Sequence, residues 1–246
     1  MSDGGAAEFP MRLNRYMALC GVAARRKAEA LILSGRVAVD GAAETSVGRV
    51  LTGAEEVRVD GAVIGLARGV YIALNKPRGV LSAVSDARGE TVLDLLPDFY
   101  RRLGIFPVGR LDRDSEGLIL LTNDGKFAQR IAHPSWGVKK TYIVFLRHVM
   151  GRKVMKEWAS GVIIGGRIAK PVEISMVGKG GLCVRVVLEE GFKREIRLMA
   201  RALGNEVVRL QRIGIGGMFM KRLPMGMFRE YGCEEMRKML AEGGEV

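Results

Sequence analysis

Residues 109–125 constrain this chain more than any other segment. They place an acidic residue between the apolar residues 105–108 and a predicted buried strand. The segment reads Gly-Arg-Leu-Asp-Arg-Asp-Ser-Glu-Gly-Leu-Ile-Leu-Leu-Thr-Asn-Asp-Gly. Its bulky run at 118–121 predicts a buried strand, and its last three residues predict a turn. Asp112 therefore lies at a strand-loop junction, which holds a carboxylate rigidly and still lets it meet a ligand. On the residues alone, the alternative that Asp112 merely bonds its own backbone stays open.

The charge of the chain favours a polyanionic partner. Its 246 residues carry a formal net charge of +12, and the isoelectric point is about 10.0. The first 70 residues hold 9 basic and 8 acidic side chains, whereas the remainder hold 30 and 19. The densest basic segment is 191–230, with nine basic and three acidic side chains. Phosphate binding explains this imbalance better than an ordinary solvated surface does.

Cysteine, histidine and apolar patterning argue against several kinds of site. The three cysteines are scattered without a Cys-x-x-Cys pair, which predicts reduced thiols. The chain has two histidines, His133 and His148. They do not form a cluster with the spacing of metal ligands, and they do not suggest a histidine-based catalytic triad. No apolar run approaches the length of a membrane span, so we expect a cytoplasmic protein with no membrane partner.

Residues 11–65 predict a small α/β module. Apolar residues follow helical spacing from Arg12 to Cys20 and again from about Arg25 to Gly35. Short alternating strands are predicted at 36–39 and 56–59, each running into an Asp-Gly turn. We expect residues 1–10 to be a loose tail and residues 66–70 to be a linker.

Residues 71–231 predict a second, larger domain, followed by a tail at 232–246. Its predicted strands are 70–74, 141–147, 172–177, 182–189 and 206–213, and its predicted helices are 91–96, 126–132, 152–160 and 194–203. Few of these elements alternate as βαβ units. The pattern therefore favours an α+β fold, with a mixed, mainly antiparallel sheet flanked by helices.

Several motifs in a fixed order carry a family resemblance. They are the 109–125 run, His-Pro at 133–134, Lys-Lys-Thr-Tyr at 139–142, and Gly-Phe-Lys-Arg-Glu-Ile-Arg-Leu-Met at 191–199. Together they make residues 11–231 resemble the bacterial ribosomal-RNA pseudouridine synthases of the RsuA/RluB type. The resemblance implies that 71–231 is the catalytic domain and that 11–65 is the RNA-binding domain named after ribosomal protein S4. It also implies isomerisation of uridine to pseudouridine without a cofactor or metal.

The resemblance assigns catalytic roles to three residues. Asp112 is implied as the essential aspartate, with Asp114 as the alternative carboxylate. Arg197 is implied as the cation that keeps Asp112 ionised in a site dried by the incoming base. Tyr142 matches the family's active-site tyrosine and would stack on the extruded uridine, with Ile196 packing on the other side.

Other basic residues are expected to bind RNA. Arg194, Arg197 and Arg201 fall at i, i+3 and i+7, so they share one face of the predicted helix. This face could equally be a phosphate-binding surface with no catalytic member. The remaining candidates for RNA contact are Lys76, Arg110 and Lys140 in the larger domain, and Arg12, Arg15, Arg25, Arg26 and Lys27 in the smaller one.

The chain departs from the family pattern at three positions. Ala24 stands where Ser is common, so a side-chain N-cap is expected to be missing from the second helix. Glu195 and Leu198 replace Gln and Arg, which puts the outer RNA contacts of the 194–203 helix in doubt.

The target is less constrained than the reaction. Residues 75–77 and 222–226 look closest to the family members that act on the large ribosomal subunit, with a small-subunit target as the alternative. A non-catalytic RNA-binding or ribosome-assembly protein on the same fold is another alternative. A methyltransferase is disfavoured because the glycines at 214–217 lack the context of a cofactor loop. We expect a monomer whose partner is ribosomal RNA or an assembly particle.

Overall fold

The structure is a computed structural model that describes residues 9–65, 69–242 and 244–245. Of the predicted N-terminal tail, residues 1–8 lie outside the described residues, as do residues 66–68 of the predicted linker.

Residues 9–65 fold around a core of their own. Their elements are β1 (Met11–Arg12), α1 (Leu13–Leu19), α2 (Arg25–Leu33), β2 (Val37–Val39), β3 (Ala42–Ala43), β4 (Val50–Leu51), β5 (Val57–Val59) and β6 (Ala62–Ile64). The strands form an antiparallel sheet in the order β3-β2-β5-β6 and a separate β1-β4 pair. Met17 and Ile32, one from each helix, are fully buried with Val37 of the sheet. Ala24 precedes α2 without a side-chain cap, as predicted.

Residues 70–242 and 244–245 build a larger α+β unit. Its elements are β7 (Tyr71–Lys76), α3 (Asp98–Arg102), β8 (Phe106–Val108), β9 (Glu116–Thr122), α4 (Gly125–Ala132), a 3-10 turn (Pro134–Trp136), β10 (Lys140–Leu146), α5 (Arg152–Ser160), β11 (Val162–Ile164), β12 (Arg167–Ala169), β13 (Glu173–Met176), β14 (Cys183–Leu188), α6 (Glu195–Ala202), β15 (Val207–Ile215), β16 (Met218–Phe219), β17 (Phe228–Tyr231), α7 (Cys233–Glu242) and β18 (Gly244–Glu245). The main sheet runs β13-β14-β10-β15-β9-β7-β17, and the pairs along this path are antiparallel except for β9 with β15. At its margin, β16 pairs antiparallel with β15 and parallel with β18. The predicted mixed, mainly antiparallel sheet is confirmed.

Helices cover both faces of this sheet. Alternate residues of β7 point to opposite sides, so Ile72 joins one core cluster and Ala73 the other. The first cluster includes Trp158 of α5 and Met199 of α6, and the second includes Phe127 of α4. Both faces are thus closed to water, which leaves polar side chains at the strand ends as the places for chemistry.

Two predicted segments take a different form. Residues 91–96 form a turn in which the Asp94 carboxylate accepts hydrogen bonds from the backbone and hydroxyl of Thr91, and Pro97 disfavours continuation of this turn as a helix. The helix of this region, α3, begins only after Pro97. The predicted tail after residue 231 is instead largely α7, whose Met236 is fully buried against the second cluster.

The two parts of the chain meet at a pair of glycines. Gly21 follows α1 and Gly104 follows α3, and both have positive φ. A Cβ at Gly21 would lie 2.6 Å from the carbonyl oxygen of Arg102, and one at Gly104 would lie 3.1 Å from the Gly21 Cα. The backbones therefore approach too closely for any side chain at this contact.

The parallel pairing of β9 with β15 joins two antiparallel halves of the main sheet. Gly117 lies opposite Arg212 there with φ +107, and a Cβ on it would lie 2.2 Å from the Arg212 carbonyl oxygen. Side chains reinforce the pairing. Arg212 Nε donates to the Leu118 carbonyl at 2.7 Å, and Arg209 Nη2 lies 2.5 Å from the buried Glu116 carboxylate.

We predict that Gly117→Ala lowers the free energy of unfolding by about 2–4 kcal/mol, since it adds both a strained φ and a backbone clash. The matched control is Gly125→Ala, at the start of α4, where a Cβ would meet nothing within 4 Å. Its effect should stay below about 1 kcal/mol. Urea unfolding followed by circular dichroism checks both values, and equal stabilities of the two variants would contradict the close contact.

Candidate active site

The loop that carries Asp112 is fastened on both sides of that residue. The hydroxyl of Ser82 donates to the Leu111 carbonyl at 2.9 Å and accepts from the Leu111 N–H at 3.1 Å. The Gly79 N–H donates to the Arg113 carbonyl at 2.7 Å, and Arg113 Nε returns a 3.0 Å bond to the Gly79 carbonyl. Asp112 is thus held between the segment after β7 and the start of β9, with 32% of its side chain exposed.

Asp114 is the carboxylate that binds the arginines most directly. Both of its oxygens accept from Arg194, at 3.0 and 3.1 Å, and Arg197 Nη2 lies 3.4 Å from Oδ2. Burial would raise the pKa of Asp114, but the Arg194 hydrogen bonds and the Arg197 charge outweigh it and hold that pKa below its usual value. Asp114 therefore stays ionised and positions two cations.

Asp112 has a looser cationic neighbour than the sequence predicts. Arg194 Nη1 lies 3.9 Å from its Oδ2, whereas the carboxylate within 4.0 Å of Arg197 is that of Asp114, among the described residues. The predicted close pair of Asp112 with Arg197 is therefore replaced by a shared arrangement. The reason is that Arg197 also donates to the Asp114 carbonyl at 3.0 Å and to the Val207 carbonyl at 2.9 Å. These two bonds hold its guanidinium beside Asp114.

Arg194 holds an unusual backbone conformation at this point. It is the N-cap residue of α6, with φ +59 and ψ 27, so it does not belong to the helix as predicted. The turn before it is closed by Glu195, whose carboxylate accepts from the Phe192 N–H at 3.0 Å. A Gln oxygen would accept the same hydrogen bond, so this contact does not explain why an acid replaces the family's Gln. Strained residues of this kind cluster at functional sites.

A row of directly paired residues crosses the sheet beneath the carboxylates. Lys76 lies opposite Gly117, Gly117 opposite Arg212, and Arg212 opposite Tyr142. Paired residues point to the same face of a sheet, so Lys76, Arg212 and Tyr142 share the face on which α6 packs. Sequence periodicity could not reveal this row, because it depends on the register of four strands.

Lys76 and Arg212 are charged groups buried in that row. The Lys76 side chain is fully buried, and Nζ donates to the carbonyls of Pro77 at 2.9 Å and Val80 at 2.7 Å. Burial lowers the pKa of Lys76 to about 8, although Asp114, Asp112 and Glu116 act in the opposite direction. Arg212, 4% exposed, adds to that lowering as a neighbouring cation.

Two buried nitrogens at the site have no acceptor among the residues that the structure describes. They are Arg197 Nε and Arg212 Nη2. An unpaired buried donor costs free energy, so such groups in a native protein are retained for a reason. Both nitrogens are enclosed by protein, so they mark where charged side chains are packed into the interior of the site.

The apolar site residues lie deeper than the carboxylates. Tyr142 is 9% exposed and Ile196 is 4% exposed, and both belong to the core cluster that also contains Leu111 of the Asp112 loop. Lys140, two residues before Tyr142, is half-buried, and burial together with Arg212 lowers its pKa. These residues place an apolar and cationic surface next to the two carboxylates.

Two adjoining cavities open over this arrangement. The first, about 380 Å³, has Asp112 and Arg113 on its wall, and the second, about 560 Å³, has Arg197 and Arg201. The residues that line both are Arg78, Asp114 and Arg194. Sequence reasoning missed Arg78 and Arg147, which lines the second cavity. The signal for Arg78 was its place in the Lys-Pro-Arg-Gly turn directly after β7.

The remaining predicted RNA-binding residues lie away from the cavities. Arg110 is exposed on the Asp112 loop. On the N-terminal part, Arg15 is half-buried, and the exposed members are Arg12, Arg25, Arg26 and Lys27. In the described ranges, no group of three or more His, Cys, Asp or Glu side chains could hold a metal ion. None of the helices there is both long and apolar enough to cross a bilayer.

Comparison with known proteins identifies relatives over nearly the whole chain. Residues 70–202 match the family model described as RNA pseudouridylate synthase. The ribosomal large subunit pseudouridine synthase B of Bacillus subtilis (strain 168) is 34% identical over 236 residues, which cover 94% of this chain and 96% of that protein. An uncharacterized RNA pseudouridine synthase of Mycobacterium leprae (strain TN) is 39% identical over 248 residues, covering 98% and 96%.

A solved structure shows the same fold. The crystal structure of a pseudouridylate synthase superposes with a TM-score of 0.67 at 28% sequence identity, covering 93% of this chain and 99% of that one.

Burial of Lys76 leads to a prediction about pH. Between about pH 8 and the ordinary lysine pKa of 10.5, the unfolded chain binds a proton at Lys76 that the folded chain does not. Stability contributed by this group therefore rises with pH in that window, by up to about 1.4 kcal/mol per pH unit. In Lys76→Met this rise should disappear.

The measurement is urea unfolding of wild type and variant across the window, because the difference between the two cancels the titration of tyrosines and cysteines. Lys153→Met, at an exposed position of α5, is the control and should keep the wild-type pH dependence. Parallel pH profiles for wild type and Lys76→Met would show that Lys76 stays protonated in the folded protein.

Proposed function

Because this chain belongs to the RNA pseudouridylate synthase family, we propose that it converts specific uridines of ribosomal RNA to pseudouridine, with Asp112 as the reacting carboxylate. One observation supports the assignment of Asp112 most strongly. Its loop is hydrogen-bonded on both sides, and it faces a cavity that it shares with Asp114 and Arg194.

The reaction needs little beyond a carboxylate and a shaped site. The bond between uracil and ribose breaks, the base turns, and a ring carbon forms the new bond to the sugar, while one proton moves from that carbon to the freed nitrogen. No redox change occurs and no group is donated, so the chemistry itself calls for no cofactor. Asp112 could attack the anomeric carbon, attack the ring, or remove a proton to give a glycal.

The surrounding residues suit this chemistry. Arg194 and Arg197 bring positive charge to the carboxylates, and Arg197 is only 11% exposed, so its field is little screened by water. Arg197 also lies on the wall of the second cavity, where its guanidinium can meet the RNA. Tyr142 and Ile196 provide the apolar surface against which an extruded base replaces its lost stacking.

We further propose that the target lies in the large ribosomal subunit. The relative from Bacillus subtilis with that designation matches over almost its full length, and the segments at 75–77 and 222–226 resemble members with such targets. Residues 11–65 would act as an S4-like RNA-binding domain and 71–231 as the catalytic domain. The exposed basic side chains at the start of α2 support the first role, since phosphate contacts position a protein on structured RNA. We propose that the protein acts as a cytoplasmic monomer.

The test is to map carbodiimide-reactive pseudouridines in ribosomal RNA from cells that lack the protein, contain it, or contain Asp112→Asn. We predict that one or a few large-subunit positions are modified only with the wild-type protein. The nearly isosteric variant should bind RNA within about threefold of wild type, because phosphate contacts dominate affinity.

The outcomes separate the alternatives. A modified position in the small-subunit RNA would place the target there. If the protein binds RNA but the map of pseudouridines is the same with and without it, the protein is a non-catalytic RNA-binding or assembly protein. Modification by Asp112→Asn would remove Asp112 from the chemistry.

We predict that Arg197→Met lowers kcat by on the order of 10²-fold, since it removes the largely buried cation that contacts Asp114 and contributes positive charge to the Asp112 site. Arg201→Met, one helical turn away and exposed, should instead raise KM and reduce the salt dependence of binding by about one phosphate contact. Tritium release from labelled uridine in RNA gives kcat and KM for each variant.

Arg197 also ties Asp114 to Val207, so its loss could act through the fold. The thermal unfolding midpoint is therefore measured alongside, and Arg197→Lys is included, which keeps the charge but not the planar fork. A folded Arg197→Met protein with a normal kcat and a smaller salt dependence would make Arg197 a phosphate binder only.

A further inference from the structure

The segment from residue 126 to residue 140 is strongly basic and carries no acid. It contains Lys126, Arg130, Lys139 and Lys140, with His133 between them, and no Asp or Glu. It comprises most of α4, the 3-10 turn and the first residue of β10. Such a one-signed segment favours a polyanion over a protein surface of mixed charge.

Trp136 lies at the centre of this segment and faces solvent. Its side chain is 56% exposed, which is unusual for the largest aromatic residue. The guanidinium of Arg130 lies 5.4 Å from the centre of the ring, so a cation holds one side of the indole. The chain's other tryptophan, Trp158, is fully buried.

Local structure keeps the indole in place. The turn that carries it begins at Pro134 and ends at Gly137, which adopts the left-handed conformation with φ +59. His133 Nδ1 lies 2.8 Å from the Ser135 hydroxyl and accepts from the Ser135 N–H at 3.3 Å. A rigid, exposed aromatic ring loses little conformational entropy when a ligand stacks on it.

The position of the turn connects it to the proposed site. The last residue of α4, Ala132, has its Cβ 4.0 Å from where a Cβ of Gly109 would lie, and Gly109 is three residues before Asp112. After the turn, the chain enters β10 at Lys140 and reaches Tyr142. Trp136 therefore lies in the connection between two segments that lead into the site.

We propose that Trp136 is a stacking site for an unpaired base of the RNA substrate, outside the pocket that receives the target uridine. Arg130 supports the ring on one side, and the base stacks against its open area, while Lys139 neutralises neighbouring phosphate. This site rests on the proposed function, since it serves the same RNA. Aromatic–base stacking is tolerant of sequence, so this contact adds affinity for single-stranded or looped RNA rather than base specificity.

The test uses the full chain carrying Asp112→Asn, so that binding is followed without turnover. A short single-stranded oligouridylate and an RNA duplex of equal charge are titrated, with binding measured by anisotropy and stacking by tryptophan emission. We expect the oligouridylate to quench the emission and the duplex to leave it nearly unchanged. In Trp136→Phe the remaining emission comes from buried Trp158 and should not respond.

Substitution gives the second measurement. Trp136→Ala should weaken oligouridylate binding by roughly 5- to 150-fold, whereas Trp136→Phe, which keeps a ring, should stay within about threefold. The control is Phe99→Ala, which removes another exposed aromatic ring, 52% accessible and next to Asp98 in the chain, and this variant should bind as wild type.

Two results would overturn the proposal. One is oligouridylate binding with unchanged tryptophan emission, and the other is wild-type affinity in Trp136→Ala. Either result would show that Trp136 does not stack on the RNA, and binding of a protein partner would then account for the exposed indole. Neither depends on catalysis, so the pseudouridine map can fail or succeed independently of this test.

Discussion

The parallel contact between β9 and β15 is the constraint on which the rest of the larger unit depends. It brings the loop before β9 next to the helix before β15, although some eighty residues separate Asp114 from Arg194. Arginines from the second segment cross to the first, with Arg197 reaching the Asp114 carbonyl, Arg209 reaching Glu116, and Arg212 reaching Leu118. The groups that hold the sheet together are therefore partly the groups that hold the site together.

Because the same side chains stabilise both the sheet and the site, several charged groups lie buried close together there. Burying a lysine and two arginines near one another is unfavourable unless carboxylates and carbonyls compensate. Asp114 and Glu116 supply part of that compensation, and backbone carbonyls supply more. The compensation is incomplete, because buried nitrogens of Arg197 and Arg212 lack acceptors in the described structure. Departures from full hydrogen-bond satisfaction of this kind tend to occur at functional sites.

Local sequence patterns predicted the strands around the site and the placement of Asp112 in a loop, because burial of a bulky run and a turn signal are properties of adjacent residues. The partner of Arg197 could not be predicted in the same way. Whether it meets Asp112 or Asp114 depends on where Val207 lies, which only the β9–β15 register decides. The burial of Lys76 could not be predicted for the same reason, since it also depends on how strands distant in the sequence pair. The turn at 91–96 was missed because its apolar spacing favours a helix, whereas Pro97 disfavours the helical conformation at the residue before it.

The glycine contact between the two parts of the chain has a consequence for how far the protein can reach. Gly21 and Gly104 touch through backbone atoms, with no long side chains whose rotamers could absorb a tilt. A contact of this kind allows little tilt of one part of the chain against the other. If the N-terminal part grips a folded RNA element, the span from that element to Asp112 becomes a fixed length, and a uridine is chosen by its distance from the grip as well as by its sequence.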